Sequence, residues 1–186
     1  MKLQKLFNKV MLKKVIHIGS CILVFLLASS AHANDRVAYQ NWVVDIGTET
    51  TEAYTANDSS SSLGLFCGGS TCVFYLNPNL NCQPNAKNVV LMNSSSQSAA
   101  ITMQCTLVGK HYFQMLDPFD QVLGAVKAGG SIGFAVALQG GAFSVYRFSL
   151  NGAASALQRA LDESAKKRFD KPTQAMGQPG FKGITL

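Results

Sequence analysis

Apolar and polar positions alternate most regularly between residues 131 and 150. Ile132, Phe134, Val136 and Leu138 recur at every second residue, Gly140 and Gly141 can turn the chain, and Val145, Tyr146 and Phe148 lie on the return. A period of two places one set of side chains on one face of a pleated strand, so this spacing predicts a β-hairpin. Residues 63–67 and 71–76 predict a second hairpin, turned at Gly68 and Gly69. Residues 36–46 predict a first strand, with the single tryptophan, Trp42, anchoring the core. Residues 47–62 are rich in Thr and Ser and close on Ser59, Ser60, Ser61 and Ser62, a composition that predicts a loop. Turn chemistry recurs at 77–79 and 83–85, where Pro stands beside Asn. A strand over 87–92, a serine-rich turn over 93–98, and two strands over 99–108 and 110–116 about Gly109 complete the β pattern.

The period changes twice. Val122, Leu123 and Val126 predict a short helical stretch, with Asp120 as its N-cap and Gly129 and Gly130 ending it. Leu157, Ala160, Leu161 and Ala165 recur at three and four residues and predict a longer helix capped by Asn151. Asp162 and Glu163 precede Lys166 and Lys167 by four, which predicts ion pairs on its wet face. From 170 to 186 Pro and Gly recur too often for regular structure, which predicts a flexible tail. Eight short strands followed by a helix predict a mainly β fold: an antiparallel β-sandwich or open barrel with one C-terminal α-helix.

The first 33 residues follow a different rule. Lys2, Lys5, Lys9, Lys13 and Lys14 precede an apolar run from Val15 to about Ser29, and Ala31, His32 and Ala33 give a small-x-small end. Basic, apolar and small-residue regions in that order predict a cleavable secretion signal over 1–33. The run is short for an uncleaved membrane anchor, which needs roughly 20 apolar residues. Cys21 precedes most of the apolar run, which argues against a lipoprotein. The membrane therefore enters only through the leader before cleavage. The leader also changes the charge. Of 16 basic residues five lie in it, leaving 11 against 10 acids over 34–186. A net charge near zero gives no argument for nucleic acid as a partner.

Export agrees with the cysteines. Cys67, Cys72, Cys82 and Cys105 remain after cleavage, and in an oxidising compartment four cysteines read as two disulfides. Three connectivities are open. Cys67–Cys72 across the Gly-Gly turn with Cys82–Cys105 is favoured, because such a turn brings opposed strand positions within disulfide reach. A zinc site is the rival, but the paired C-x2-C knuckles that mark one are missing.

Catalytic chemistry is sparse. His111 is the only histidine after residue 33, and no G-x-S-x-G context accompanies it. A secreted hydrolase built on His111 is one alternative; a polar strand residue facing water is the plainer reading. Asp117 and Asp120 are the nearest apolar-flanked carboxylates, and their setting beside Pro118 suits a turn and a helix cap. The glycine pairs do not match a phosphate-cradling loop. Lys166, Lys167 and Arg168, followed by Lys171, suit a helix C-terminus better than contact with a membrane or an acidic partner. Phe143, Tyr146 and Phe148 read first as core and second as a groove lining. Tyr146, Phe143, Asp117 and His111 are the candidate binding residues; no catalytic residue, metal or cofactor is expected.

Several segments between Trp42 and Leu161 carry a resemblance. They are Trp42 to Val44, Cys67 and Cys72 with Phe74 and Tyr75, residues 132–135, residues 148–153, and Ala156 with Leu157. Together the chain resembles the invasion-associated locus B family of small exported bacterial proteins. It departs from that pattern in lacking a late cysteine pair and in its serine-rich loops. The resemblance implies a periplasmic or surface β-sandwich tied to the envelope or to host interaction, without known chemistry or functional residues. The expectation is an exported, non-enzymatic module that binds another protein through polar loops at 47–62 and 93–98 on a disulfide-bonded scaffold. An inhibitor or immunity protein acting on a cell-wall enzyme is a special case.

If both bridges form, the intact mass of the exported chain rises by one hydrogen per cysteine on reduction, with no thiol open to alkylation beforehand. Free thiols or a bound metal would contradict the disulfide reading.

Overall fold

The computed structural model describes residues 35–69, 71–138 and 140–170. Asp170 closes the last helix; the rest of the expected tail, and the expected leader over 1–33, lie outside the described residues. The strands are β1 (Asp35–Tyr39), β2 (Trp42–Ile46), β3 (Thr50–Ala56), β4 (Ser62–Gly68), β5 (Thr71–Asn77), β6 (Lys87–Ser94), β7 (Ser98–Val108), β8 (His111–Asp117), β9 (Ser131–Ala137) and β10 (Phe143–Ser149). The helix α1 (Phe119–Lys127) follows β8, and α2 (Ala153–Asp170) follows β10.

All ten strands join one antiparallel sheet in the order β1-β2-β3-β4-β5-β8-β7-β6-β9-β10. Of the two layouts expected, sandwich and open barrel, the chain takes the second: the sheet curls into a half-barrel. Trp42, Leu63, Leu65, Phe74, Leu76 and Phe134 point into the curl and are wholly buried. Removing each such side chain from water contributes about 1.5–3 kcal/mol. Helix α2 lays Ala153, Ala156, Leu157 and Ala160 on the concave side over β1 to β4. Helix α1 packs Val122, Ala125 and Val126 inward, and Phe119 meets Phe74 with ring centroids 5.1 Å apart.

The disulfides take the favoured pairing. Cys67 and Cys72 face each other across β4 and β5 with Cα atoms 4.1 Å apart. Cys82–Cys105 has a topological task. Strand β6 is separated from β5 by β8 and β7, so residues 78–86 must cross between them. The bridge pins that crossing to β7, and the Asn85 and Cys105 amides donate to the Cys105 and Ala86 carbonyls at 2.8 and 2.9 Å. Two disulfides indicate maturation in an oxidising, extracytoplasmic compartment.

Five local expectations are corrected. The single strand over 36–46 is a hairpin, with Tyr39 paired to Trp42 and Gln40 at φ 54°. No glycine announces that turn; tertiary contacts hold it, as the Asn41 amide donates to the Asn151 carbonyl at 3.2 Å. The loop over 47–62 contains a strand, β3, at residues 50–56. Its buried face is Thr51, Ala53 and Thr55, small residues that let α2 approach, so no large apolar period marked it. The serine-rich stretch at 93–98 is likewise partly strand, since β6 runs to Ser94 and β7 starts at Ser98. Asp120 does not cap α1: Pro118 holds the N-cap position, its fixed φ leading into the helix, and Asp120 lies in the first turn. Asn151 does not cap α2 either; the helix starts beyond Gly152, whose carbonyl accepts from the Ala156 amide at 3.0 Å.

The wet face of α2 also differs in detail. Glu163 pairs with Lys166 at 2.7 Å and with Arg159 at 3.2 Å. Lys167 reaches away instead, donating to the Gly47 and Thr50 carbonyls and to Thr51 Oγ1. It thereby ties α2 to the β2–β3 turn.

Gly152 has φ +86°, and a Cβ there would lie 1.9 Å from the Tyr39 carbonyl oxygen. Gly152→Ala therefore lowers the unfolding free energy by at least about 2 kcal/mol, read from denaturant midpoints. Replacing Cys82 and Cys105 together by Ser costs roughly 3 kcal/mol, because the bridge closes a loop of 22 intervening residues. Unchanged midpoints in either variant would contradict the close approach or the staple.

Candidate functional site

The convex face of the sheet divides into two halves with different chemistry. On β1 to β5 the outward polar groups largely pair with one another, and Phe66 is the one large apolar residue there that is more than a third exposed. Arg36 donates to the Tyr54 hydroxyl at 2.6 Å and pairs with Asp45 at 3.5 Å. Tyr75 lies across Gly64, where a Cβ would come within 2.7 Å of its ring, and donates to Glu52 Oε1 at 2.5 Å. Phe113 meets the Tyr75 ring edge-on at 5.2 Å. Burial raises the Glu52 carboxyl above the ordinary range; the bond from Tyr75 opposes this and the Asp45 charge adds to it. Burial and then the Glu52 charge keep the Tyr75 phenol protonated far beyond neutral pH. Burial followed by Asp45 raises Tyr54 as well, against Arg36.

The half formed by β7, β6, β9 and β10 is built otherwise. Val89, Leu91, Phe143 and Val145 face outward and are 69%, 51%, 69% and 55% exposed. The register sets them in rows. Leu91 and Val145 both stand opposite Ala135, and Ala100 continues that row on β7. Phe143 stands opposite Ala137 in the next row. Asn93 and Arg147 both stand opposite Gly133 in the row on the other side. A groove of about 420 Å³ opens there, walled by Leu91, Ala135, Val145, Asn93 and Arg147. A contiguous exposed apolar patch edged by polar groups is how protein-binding surfaces present themselves.

The four candidate binding residues do not form one site. Tyr146 is buried inside the curl beside Phe134, and Phe148 is buried with it, their roles being those of core residues. Phe143 belongs to the exposed patch. His111 and Asp117 are both exposed but occupy opposite ends of β8, six residue steps or roughly 20 Å apart. His111 borders a small hollow of about 80 Å³ lined by Asn77, Asn79, Asn81 and Lys110, with no carboxylate in it. Asp117 precedes Pro118 through a cis peptide bond at the entrance to α1. Both disulfides consume the thiols that the zinc alternative needed, and among the described residues no three His, Cys, Asp or Glu gather into a metal site.

Sequence reasoning missed Val89, Leu91 and Val145 as surface residues. One signal was present: Val89, Val90, Leu91 and Met92 are four apolar residues in succession on an antiparallel strand. Such a run makes both faces of the strand apolar, whereas a strand with one wet face alternates.

These features define a class: a single curled antiparallel sheet, disulfide-bonded, with a C-terminal helix in its concavity and an apolar patch outside. Among solved structures the chain is similar to the crystal structure of invasion associated protein B from Bartonella henselae. The likeness has a TM-score of 0.50 at 18% identity and covers 69% of this chain and 96% of that one. The resemblance read from the sequence is thus met at the level of the fold. No protein-family model and no curated protein sequence matches the chain.

Glu52 supplies a pH test. Its folded pKa lies above the reference value of 4.5, so its contribution to stability is full below that value. The contribution is lost as pH rises through the folded pKa. Glu52→Gln removes this dependence. The native chain therefore loses stability relative to Glu52→Gln as pH rises from the reference value of 4.5 through the folded pKa. Paired denaturant titrations showing a constant difference would contradict the assignment.

Proposed function

We propose that this protein is an exported, non-enzymatic binding module of the bacterial envelope or extracellular space, and that it binds another protein through the convex face of β6, β9 and β10. The observation that carries this reading is the exposed row of Leu91, Ala135 and Val145 with Phe143 beside it. Interior demand does not account for these residues, since the concave face has its own complete apolar set. The patch lies on strands continuous with the ten-stranded sheet, and Cys82–Cys105 braces the crossing that leads into β6; a preformed surface of this kind lowers the ordering cost of binding.

Three further observations support the setting. The basic, apolar and small-residue order of 1–33 is that of a general secretory leader. The disulfides suit the periplasm or the medium. The solved neighbour is an invasion-associated protein, and we extend an association with virulence or host contact to this chain on that basis. Catalysis is not part of the proposal: the one histidine of 34–186 stands at an exposed strand end, roughly 20 Å from Asp117.

A photo-crosslinking residue installed at position 143 and activated in cells making the protein tests this. The expected result is a discrete adduct that is absent when the same residue replaces Lys110, and that disappears when Leu91 and Val145 are both changed to Ser. Equal labelling from positions 143 and 110 would contradict the assignment of the face.

A further inference from the structure

The charge pattern around the apolar patch says more about its partner. Strands β6, β7, β9 and β10 carry no acidic residue along their whole lengths. Their only charged residues are Lys87 at the start of β6 and Arg147 near the end of β10. Lys87, Val89, Leu91 and Asn93 are alternate residues of one strand and share its outward face. Arg147 lies in the row of Asn93, with Gly133 between them. The arginine stem runs over Gly133, its Cγ 3.7 Å from where a Cβ would sit, an ordinary contact distance. Arg147 is exposed and forms no ion pair with a carboxylate of the described residues. The contrast with Arg36 is informative, because that arginine is engaged by Asp45 and Tyr54 on the other half of the same face.

Resting on the binding reading above, we infer that this face takes an extended segment of a partner protein that places apolar side chains on the Leu91–Ala135–Val145 row and a carboxylate on Arg147, with a second acidic group near Lys87. Charge complementarity carries the choice of partner: the patch has a cation at each end, an apolar centre and no acid on its own strands to repel a carboxylate. A guanidinium can hold a carboxylate through two parallel hydrogen bonds, which fixes orientation as well as attraction. Lys87 and the Asn93 row are six residue steps apart, or roughly 20 Å, the reach of about seven extended residues. An acidic segment is also kept off the opposite half of the convex face, where Asp45 and Glu52 point outward.

The test uses the protein purified from the periplasm of an expressing cell. The probe is a fluorescein-labelled extended peptide of about seven residues, with aspartate at both ends and valine and leucine between. A matched peptide carries asparagine at both ends. Fluorescence anisotropy is expected to show the aspartate peptide binding about tenfold more tightly than its partner. Arg147→Gln should reduce that preference, Arg147→Gln with Lys87→Gln should erase it, and Leu91→Ser with Val145→Ser should weaken both peptides. Equal binding of the two peptides, unchanged by Arg147→Gln but lost in the double Ser variant, would overturn the acidic partner and leave the binding face standing. No effect of the double Ser variant on either peptide would overturn both. Failure of both peptides, with a dimer in light scattering that Val145→Ser abolishes, would assign the face to a second copy and overturn the acidic segment.

Discussion

The structure depends on one closure, made at Trp42. Its side chain is wholly buried, and its indole N–H donates to the Ser149 carbonyl at 3.0 Å. Trp42 opens β2, and Ser149 ends β10, the strand at the far edge of the sheet. That bond therefore joins the two ends of a ten-stranded ribbon. Neighbouring contacts repeat the connection: the Asn41 amide reaches the Asn151 carbonyl, the Ser149 hydroxyl donates to Asn41 Oδ1, and Gly152 sits against the Tyr39 carbonyl. A buried indole needs a partner for its N–H, and only the curled sheet supplies this one. Curling also decides which face becomes the interior, and it sets α2 on its path across β1 to β4 directly after Gly152.

The proposed function rests on what the closure leaves outside. A flat antiparallel sheet would need a second layer over its apolar face; a curled one buries its concave face against itself and α2. The convex face then has to be compatible with water. On β1 to β5 it is so apart from Phe66, through Arg36, Asp45, Glu52, Tyr54 and Tyr75, which pair among themselves. On β6, β9 and β10 it is not. Val89, Leu91, Phe143 and Val145 there are large, apolar and more than half exposed, on a scaffold held rigid by disulfides. The proposal of a protein partner rests on this asymmetry between the halves rather than on any single side chain. The solved relative shares the fold, and the patch is argued from this chain's own residues.

Legibility in the sequence followed the strength of local signals. The 131–150 hairpin, the Gly-Gly turn between Cys67 and Cys72, and both disulfide pairs could be read because glycine pairs, alternation and cysteine spacing are short-range properties. Strand β3 could not, since its interior face is Thr51, Ala53 and Thr55 and its fit depends on a helix a hundred residues away. The Gln40 turn was hidden for the same reason: a non-glycine residue at positive φ is held by Asn151 and Gly152. Among the candidate binding residues, Phe143 alone falls on the exposed patch. Tyr146 alternates out of it into the core, and His111 and Asp117 are parted by the length of a strand that sequence proximity made look short.

Hydrogen exchange at the Trp42 indole, followed by nuclear magnetic resonance, tests the closure most directly. The indole proton is buried and bonded across the two ends of the sheet. It should exchange only through global unfolding, at the rate of the slowest backbone amides in β4 and β5. Exchange as fast as that of a solvent-exposed indole would mean that the sheet is open, and would remove the basis for separating its concave from its convex face.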